Sequence, residues 1–249
     1  MSKPTITEVE NAFQPAKEIS SATRFAGRKT AVSDAYYGLV ATGSHIAIVG
    51  NRGIGKTSLS RQVANMATGD NGLLERLQLP HDRKLDFLAI YFACGKTTQN
   101  TTDLLERLLT STGCLGEWVY DVPKASKIVR GYSPRFGVNV LGAEVGLGGE
   151  KKTETTTEPA IAAHAIDTVF ANAVAAIIEQ NISTDGILIV VDEFDQISDP
   201  SGFASFLKAL STNVPKVKFC LVGVAQDIQQ LMKEHQSTDR LFAVNGHLN

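Results

Sequence analysis

Cysteine, net charge and long apolar runs are all scarce in this chain of 249 residues. The three cysteines, Cys94, Cys114 and Cys220, form no CxxC pair, which argues against a zinc site or a disulfide framework and for reduced, buried thiols. A formal charge of -2 leaves no global basic field of the kind that non-specific nucleic-acid binding requires, so any DNA contact has to be local. No apolar stretch follows the first lysine, and no run reaches the roughly 18 apolar residues of a membrane span. These absences predict a cytoplasmic protein with no membrane partner.

What is present is a large apolar fraction, 43%, enough for a sizeable core. Residues 1–22 are polar and mixed in charge, with Pro4 and Pro15, and read as an N-terminal arm. Residues 23–249 read as one α/β core with an insertion at about 114–158. Ala31, Ala35, Leu39 and Val40 recur at helical spacing and predict a helix over about 29–41 that Gly43 ends. The period then changes. Residues 45–49 are a short isoleucine- and valine-rich run, as in a buried parallel strand, and Leu59, Val63, Ala64 and Met66 mark an amphipathic helix after a glycine loop. Further strands are expected at 86–93, 186–191 and 217–224, and helices at the leucine pairs 104/105 and 108/109, over 159–180, at 203–210 and at 228–235. Residues 113–130 read as irregular. Residues 136–149 alternate apolar and small residues and suggest a β-hairpin outside the main sheet, with 151–158 as its solvated tail. The alternation as a whole predicts a doubly wound parallel sheet with helices on both faces, of P-loop NTPase type.

Residues 50–57, GNRGIGKT, match G-x-x-x-x-G-K-[ST] at every required position. They lie between a buried strand and a helix, where backbone N–H groups and the helix N-terminus converge on phosphate oxygens. The expected nucleotide-binding positions are Gly50, Asn51, Arg52, Gly53, Ile54, Gly55, Lys56, Thr57 and Ser58. Gly53 and Gly55 permit the backbone wrap, Lys56 reaches the β- and γ-phosphates, and the Thr57 hydroxyl ligates magnesium. A second segment, ILIVVDE, carries two carboxylates on an apolar strand to the same sheet edge. Asp192 is expected to partner Mg2+, and Glu193 to orient or deprotonate the attacking water. At the end of the fourth strand, Gln226 either senses phosphate or positions water, or is an ordinary exposed residue beside the helix-capping Asp227.

These segments together resemble the AAA+ and STAND ATPases, and most of all bacterial ATP-binding proteins related to the origin-recognition initiator clade; the resemblance runs over about 25–242. FAGR, residues 25–28, is similar to that family's entry motif and implies that Arg28 lines the nucleotide pocket. GNRGIGKTSL and VVDEFDQI resemble Walker A and Walker B, LVGVAQD resembles the sensor 1 strand with Gln226 where the family often has asparagine, and STDRLF resembles the segment that supplies a trans-acting arginine finger. That last likeness implies that Arg240 serves a neighbouring subunit's γ-phosphate. The other reading of Arg240 is a solvated residue opening a final strand over 241–244. The glycine-rich hairpin departs from the family pattern, and the chain stops at Asn249, before the helical lid that the resemblance implies.

The expectation is therefore an ATPase core that couples Mg-ATP binding and hydrolysis to switching or assembly, as a homo-oligomer acting with a DNA or protein partner. Its alternative is a nucleotide-gated binding module that exchanges nucleotide with little hydrolysis. Adenine rather than guanine rests on the resemblance, and the N-K-x-D base-reading tetrad of GTPases does not occur. No arginine-rich lid of a P-loop kinase is evident.

Overall fold

A computed structural model describes residue 19, residues 21–132 and 166–224, and the backbone of 242–248. Five parallel strands form one sheet: β1 (His45–Gly50), β2 (Phe87–Ala93), β3 (Gly186–Asp192), β4 (Val217–Gly223) and β5 (Phe242–Leu248), in spatial order β2-β3-β4-β1-β5. Every residue of β1, β3 and β4 is buried, which is why these strands read as unbroken apolar runs rather than as alternations. Because all five strands run the same way, the loops after β1, β3 and β4 emerge at one edge. β4 lies between β1 and β3 and brings a third loop in between their ends.

Helices cover both faces. On one side lie α1 (Lys29–Val40), α2 (Lys56–Ala67) and the short α3 (Gly72–Arg76); their Leu39, Leu59, Val63 and Leu73 pack with Ile46, Ile48, Leu188 and Val190 of the sheet. On the other lie α4 (Thr101–Thr110), α5 (Gly116–Asp121), α6 (Pro123–Tyr132), α7 (Ile166–Ile178) and α8 (Phe203–Asn213), packed on Ala47, Val49, Ile187, Ile189 and Val191. Successive residues of β3 thus alternate between two cores, the period-two geometry of a strand sandwiched by helices. The parity has a consequence for the site. Leu188 and Val190 face α2, so Asp192 at the strand's end belongs to the same side.

The α4 leucines 104, 105, 108 and 109 are all buried, each stabilising the fold by about 1.5–3 kcal/mol relative to exposure. Asn100 caps that helix by accepting the Asp103 N–H at 2.9 Å. A cluster of phenylalanines, 170, 194, 203, 206 and 219, fills the space between α7, α8 and the sheet, with ring centroids 5.1–6.1 Å apart.

Residues 113–130, expected to be irregular, instead carry α5 and α6. α5 is too short to display a repeated helical period and α6 buries only two small apolar side chains, yet Leu115, Val119, Ala125 and Val129 are buried in the core that α7 shares. α3 was likewise unforeseen. The helix expected over 159–180 is described from Ile166, and the final strand is longer than expected, running to Leu248. The expected hairpin at 136–149, its tail at 151–158 and the helix at 228–235 lie outside the described residues. No helix among the described residues is long and apolar enough to cross a membrane. All three cysteines are buried and unpaired.

Candidate functional site

β1 ends at Gly50, and α2 begins at Lys56, so the loop between them spans only a few residues and must turn sharply. Gly53 and Gly55 take φ of 78° and 89°, a region that L side chains avoid, and a Cβ on either would meet nothing within 4 Å. The constraint is therefore on the backbone, and the concave side of the loop is open. Lys56 folds back across that opening, its Nζ donating to the carbonyl oxygens of Gly50 at 3.0 Å and Asn51 at 2.9 Å. Among the described residues its partners are these two neutral carbonyls, which the stronger acceptors of a phosphate can replace.

The loop is braced from outside. Arg28, in left-handed conformation at the start of α1, donates to the Ile54 carbonyl oxygen, and Ser58 Oγ accepts the Ile19 N–H at 3.0 Å. Gln62 Nε2 returns a bond to the Ile19 carbonyl oxygen at 3.3 Å. Arg28 thus meets the loop through its backbone.

β3 delivers the acidic pair. Asp192 is 5% exposed; its Oδ1 accepts the Glu193 N–H at 2.8 Å and its Oδ2 accepts the Tyr91 hydroxyl. Burial, and after it the Asp192 carboxylate, push the Tyr91 phenol well above its ordinary value, so at neutral pH it is a donor. Glu193 itself is exposed and holds φ 52°, ψ 40°, a left-handed conformation costly for a non-glycine residue. The next side chain is anchored in the core: Phe194 is 1% exposed, with its ring 5.1 Å from that of Phe203.

Loop and strand ends enclose a cavity of about 320 Å³. Arg52, Gly53, Lys56 and Thr57 line it from the loop, Asp192 and Glu193 from the end of β3, and Gly223 and Val224 from the end of β4. The loop and the β3 end are also joined across the opening by Arg52, whose guanidinium lies 3.9 Å from Asp195 with its side chain 81% exposed. Of the residues expected from sequence, Arg52, Gly53, Lys56, Thr57, Asp192 and Glu193 meet at the cavity, while Gly50, Asn51, Ile54, Gly55, Ser58 and Arg28 shape or brace the loop. Gln226 and Arg240 lie outside the described residues. Sequence reasoning passed over Asp195 and Gln196, which also line the cavity, and Tyr91. A tyrosine within an otherwise apolar strand was the available signal, but its meaning depends on which strand lies beside it.

The donor set suits a small divalent cation: a hydroxyl at a helix N-terminus and a carboxylate are hard oxygen ligands, and both Asp192 oxygens keep a lone pair beyond the bonds described.

The parallel sheet, the strand, loop and helix succession and the glycine loop at the sheet's carboxyl edge define a P-loop NTPase fold. No family model and no curated protein matches the chain. Among solved structures it is similar to a Walker-type ATPase of Pyrococcus abyssi, at 11% sequence identity and a TM-score of 0.48, over 94% of this chain and 55% of that one. The chain thus spans about half the length of that protein.

Proposed function

We propose that this chain is an ATP-binding core that couples Mg-ATP binding and hydrolysis to a conformational switch or to assembly with a partner. The observation that carries the proposal is the meeting, at one cavity, of Lys56 and Thr57 from the loop with Asp192 and Glu193 from β3. Lys56 and the N–H groups opening α2 hold the β- and γ-phosphates. Thr57 and Asp192 would hold Mg2+, which when bound neutralises phosphate charge. Glu193, exposed at the rim of the same cavity, orients a water toward the γ-phosphate and takes its proton. Adenine as the base rests on the family resemblance of the sequence segments.

Glu193→Gln separates this proposal from the alternative of a binding module. Phosphate release by the unaltered chain should fall at least about a hundredfold in the variant, while Mg-ATP affinity changes little. Nucleotide binding with no turnover in the unaltered chain would point to the module instead.

A further inference from the structure

The two residues assigned to the metal sit on different elements, Thr57 at the start of α2 and Asp192 at the end of β3, and one hydrogen-bonded chain connects them. Ser60, one turn into α2, has its Oγ 2.9 Å from the Thr57 carbonyl oxygen and 3.2 Å from the Tyr91 hydroxyl. The Tyr91 hydroxyl in turn meets Asp192 Oδ2. Proton bookkeeping fixes the direction. The Tyr91 hydroxyl gives its one hydrogen to Asp192 Oδ2, so in the Ser60–Tyr91 pair only the serine can donate, and the single Ser60 hydrogen is shared between the Tyr91 oxygen and the Thr57 carbonyl oxygen. The ring is held from its other side as well, with the Arg61 guanidinium carbon 3.4 Å from its centroid.

Strand parity explains why the contact forms. In β2 Phe87 and Tyr91 face α2, and in β3 Leu188 and Val190 do. Tyr91 pairs with Val190, and Asp192 stands two residues further along the same face, within a tyrosine's reach.

We propose that Tyr91 is a positioning residue for the metal-binding carboxylate. Its hydroxyl fixes the rotamer of Asp192 before the cation arrives and, through Ser60, ties that carboxylate to the turn of α2 that presents Thr57. Without the hydroxyl, Asp192 keeps only the Glu193 N–H among its described bonds and must be ordered at the expense of binding. Groups that orient a metal's ligands commonly change its affinity 10–100-fold, and the lower end is expected here because the backbone N–H remains.

This role rests on the Mg-ATP site proposed above, and the test separates the two. Binding of Mn2+ to the protein with ATP present, read by the enhanced water-proton relaxation that a slowly tumbling protein-bound ion gives and free Mn-ATP does not, is compared with ATP binding in chelator. The proteins are the full chain carrying Glu193→Gln to prevent turnover, alone and with Tyr91→Phe, Ser60→Ala or Asp192→Asn. Tyr91→Phe keeps the ring and its stacking, so a packing role alone would leave Mn2+ affinity unmoved. The expected result is an affinity for Mn2+ about 10-fold weaker in Tyr91→Phe and about threefold weaker in Ser60→Ala, with metal-free ATP affinity within twofold and melting temperature unchanged. Equal Mn2+ affinity with and without the Tyr91 hydroxyl, alongside its loss in Asp192→Asn, would overturn the positioning role and leave the site standing. Absence of ATP-dependent Mn2+ binding in all four proteins would overturn the site itself, and this role with it.

Discussion

His45 opens the strand that leads into the glycine loop, and its titration should make the fold acid-sensitive in a defined way. The side chain is fully buried. The Phe219 N–H donates to its Nδ1 at 3.1 Å, which places the proton of the neutral ring on Nε2, facing the Ser211 hydroxyl at 2.9 Å and the Leu207 carbonyl oxygen at 3.3 Å. A second proton would set Nδ1–H against the Phe219 N–H. Burial above all, aided by the nearby Lys218 ammonium and opposed by the Leu207 carbonyl, lowers the pKa from 6.5 to about 4. The unfolded chain therefore takes up a proton near pH 6.5 that the folded chain refuses until about pH 4, so this contribution to stability is complete above 6.5 and is lost as pH falls through that window. The full difference is worth about 3 kcal/mol, of which about 2 kcal/mol has gone by pH 5. Urea denaturation at pH 7.5 and pH 5 should show the unaltered chain losing about 2 kcal/mol more than His45→Gln, each referenced to its own value at pH 7.5. Equal losses in the two proteins would refute the reasoning.

Gly186 begins β3 at φ 113°, and a Cβ there would stand 2.0 Å from the Lys216 backbone oxygen and 2.8 Å from the Lys216 Cβ. Since that oxygen accepts the Ile187 N–H at 2.9 Å, the first rung between β3 and β4 would have to open, and Gly186→Ala should lower stability by about 3 kcal/mol or more. An unchanged urea midpoint would contradict the close approach. Arg240, if it completes phosphate neutralisation in a neighbouring subunit, predicts specific ATPase activity that rises with protein concentration and a flattened rise in Arg240→Ala. Mixing Arg240→Ala with Glu193→Gln should then restore turnover, and no rescue at any ratio in confirmed oligomers would exclude a trans role.

The core of the sheet was legible because β1, β3 and β4 are buried on both faces and so announce themselves as apolar runs, each ending at the sheet edge that carries the cavity. The loop was legible because its chemistry is local: glycines, Lys56 and Thr57 act through spacing within eight residues. What stayed hidden depends on elements far apart in the chain. Tyr91 and Asp192 are 101 residues apart and meet only because β2 lies beside β3 with matching parity. The left-handed turn at Glu193 and the packing of Phe194 against Phe203 beside it are likewise specified by no local pattern. α5 and α6 hid for a different reason: α5 has only 6 residues, and α6 buries only Ala125 and Val129, a weaker mark than the four leucines that made the equally long α4 legible.

The central claim, that residues 50–57 and Asp192 form a Mg-ATP site, is tested most directly by calorimetric titration of Mg-ATP into the chain and into Lys56→Ala. Removing the ammonium leaves phosphate charge uncompensated in a site built for anions, a loss of about 3 kcal/mol that weakens binding roughly a hundredfold. The account predicts saturable binding to the unaltered chain and near-complete loss in the variant. Equal affinity in both proteins, or no binding of Mg-ATP to the unaltered chain, would contradict it.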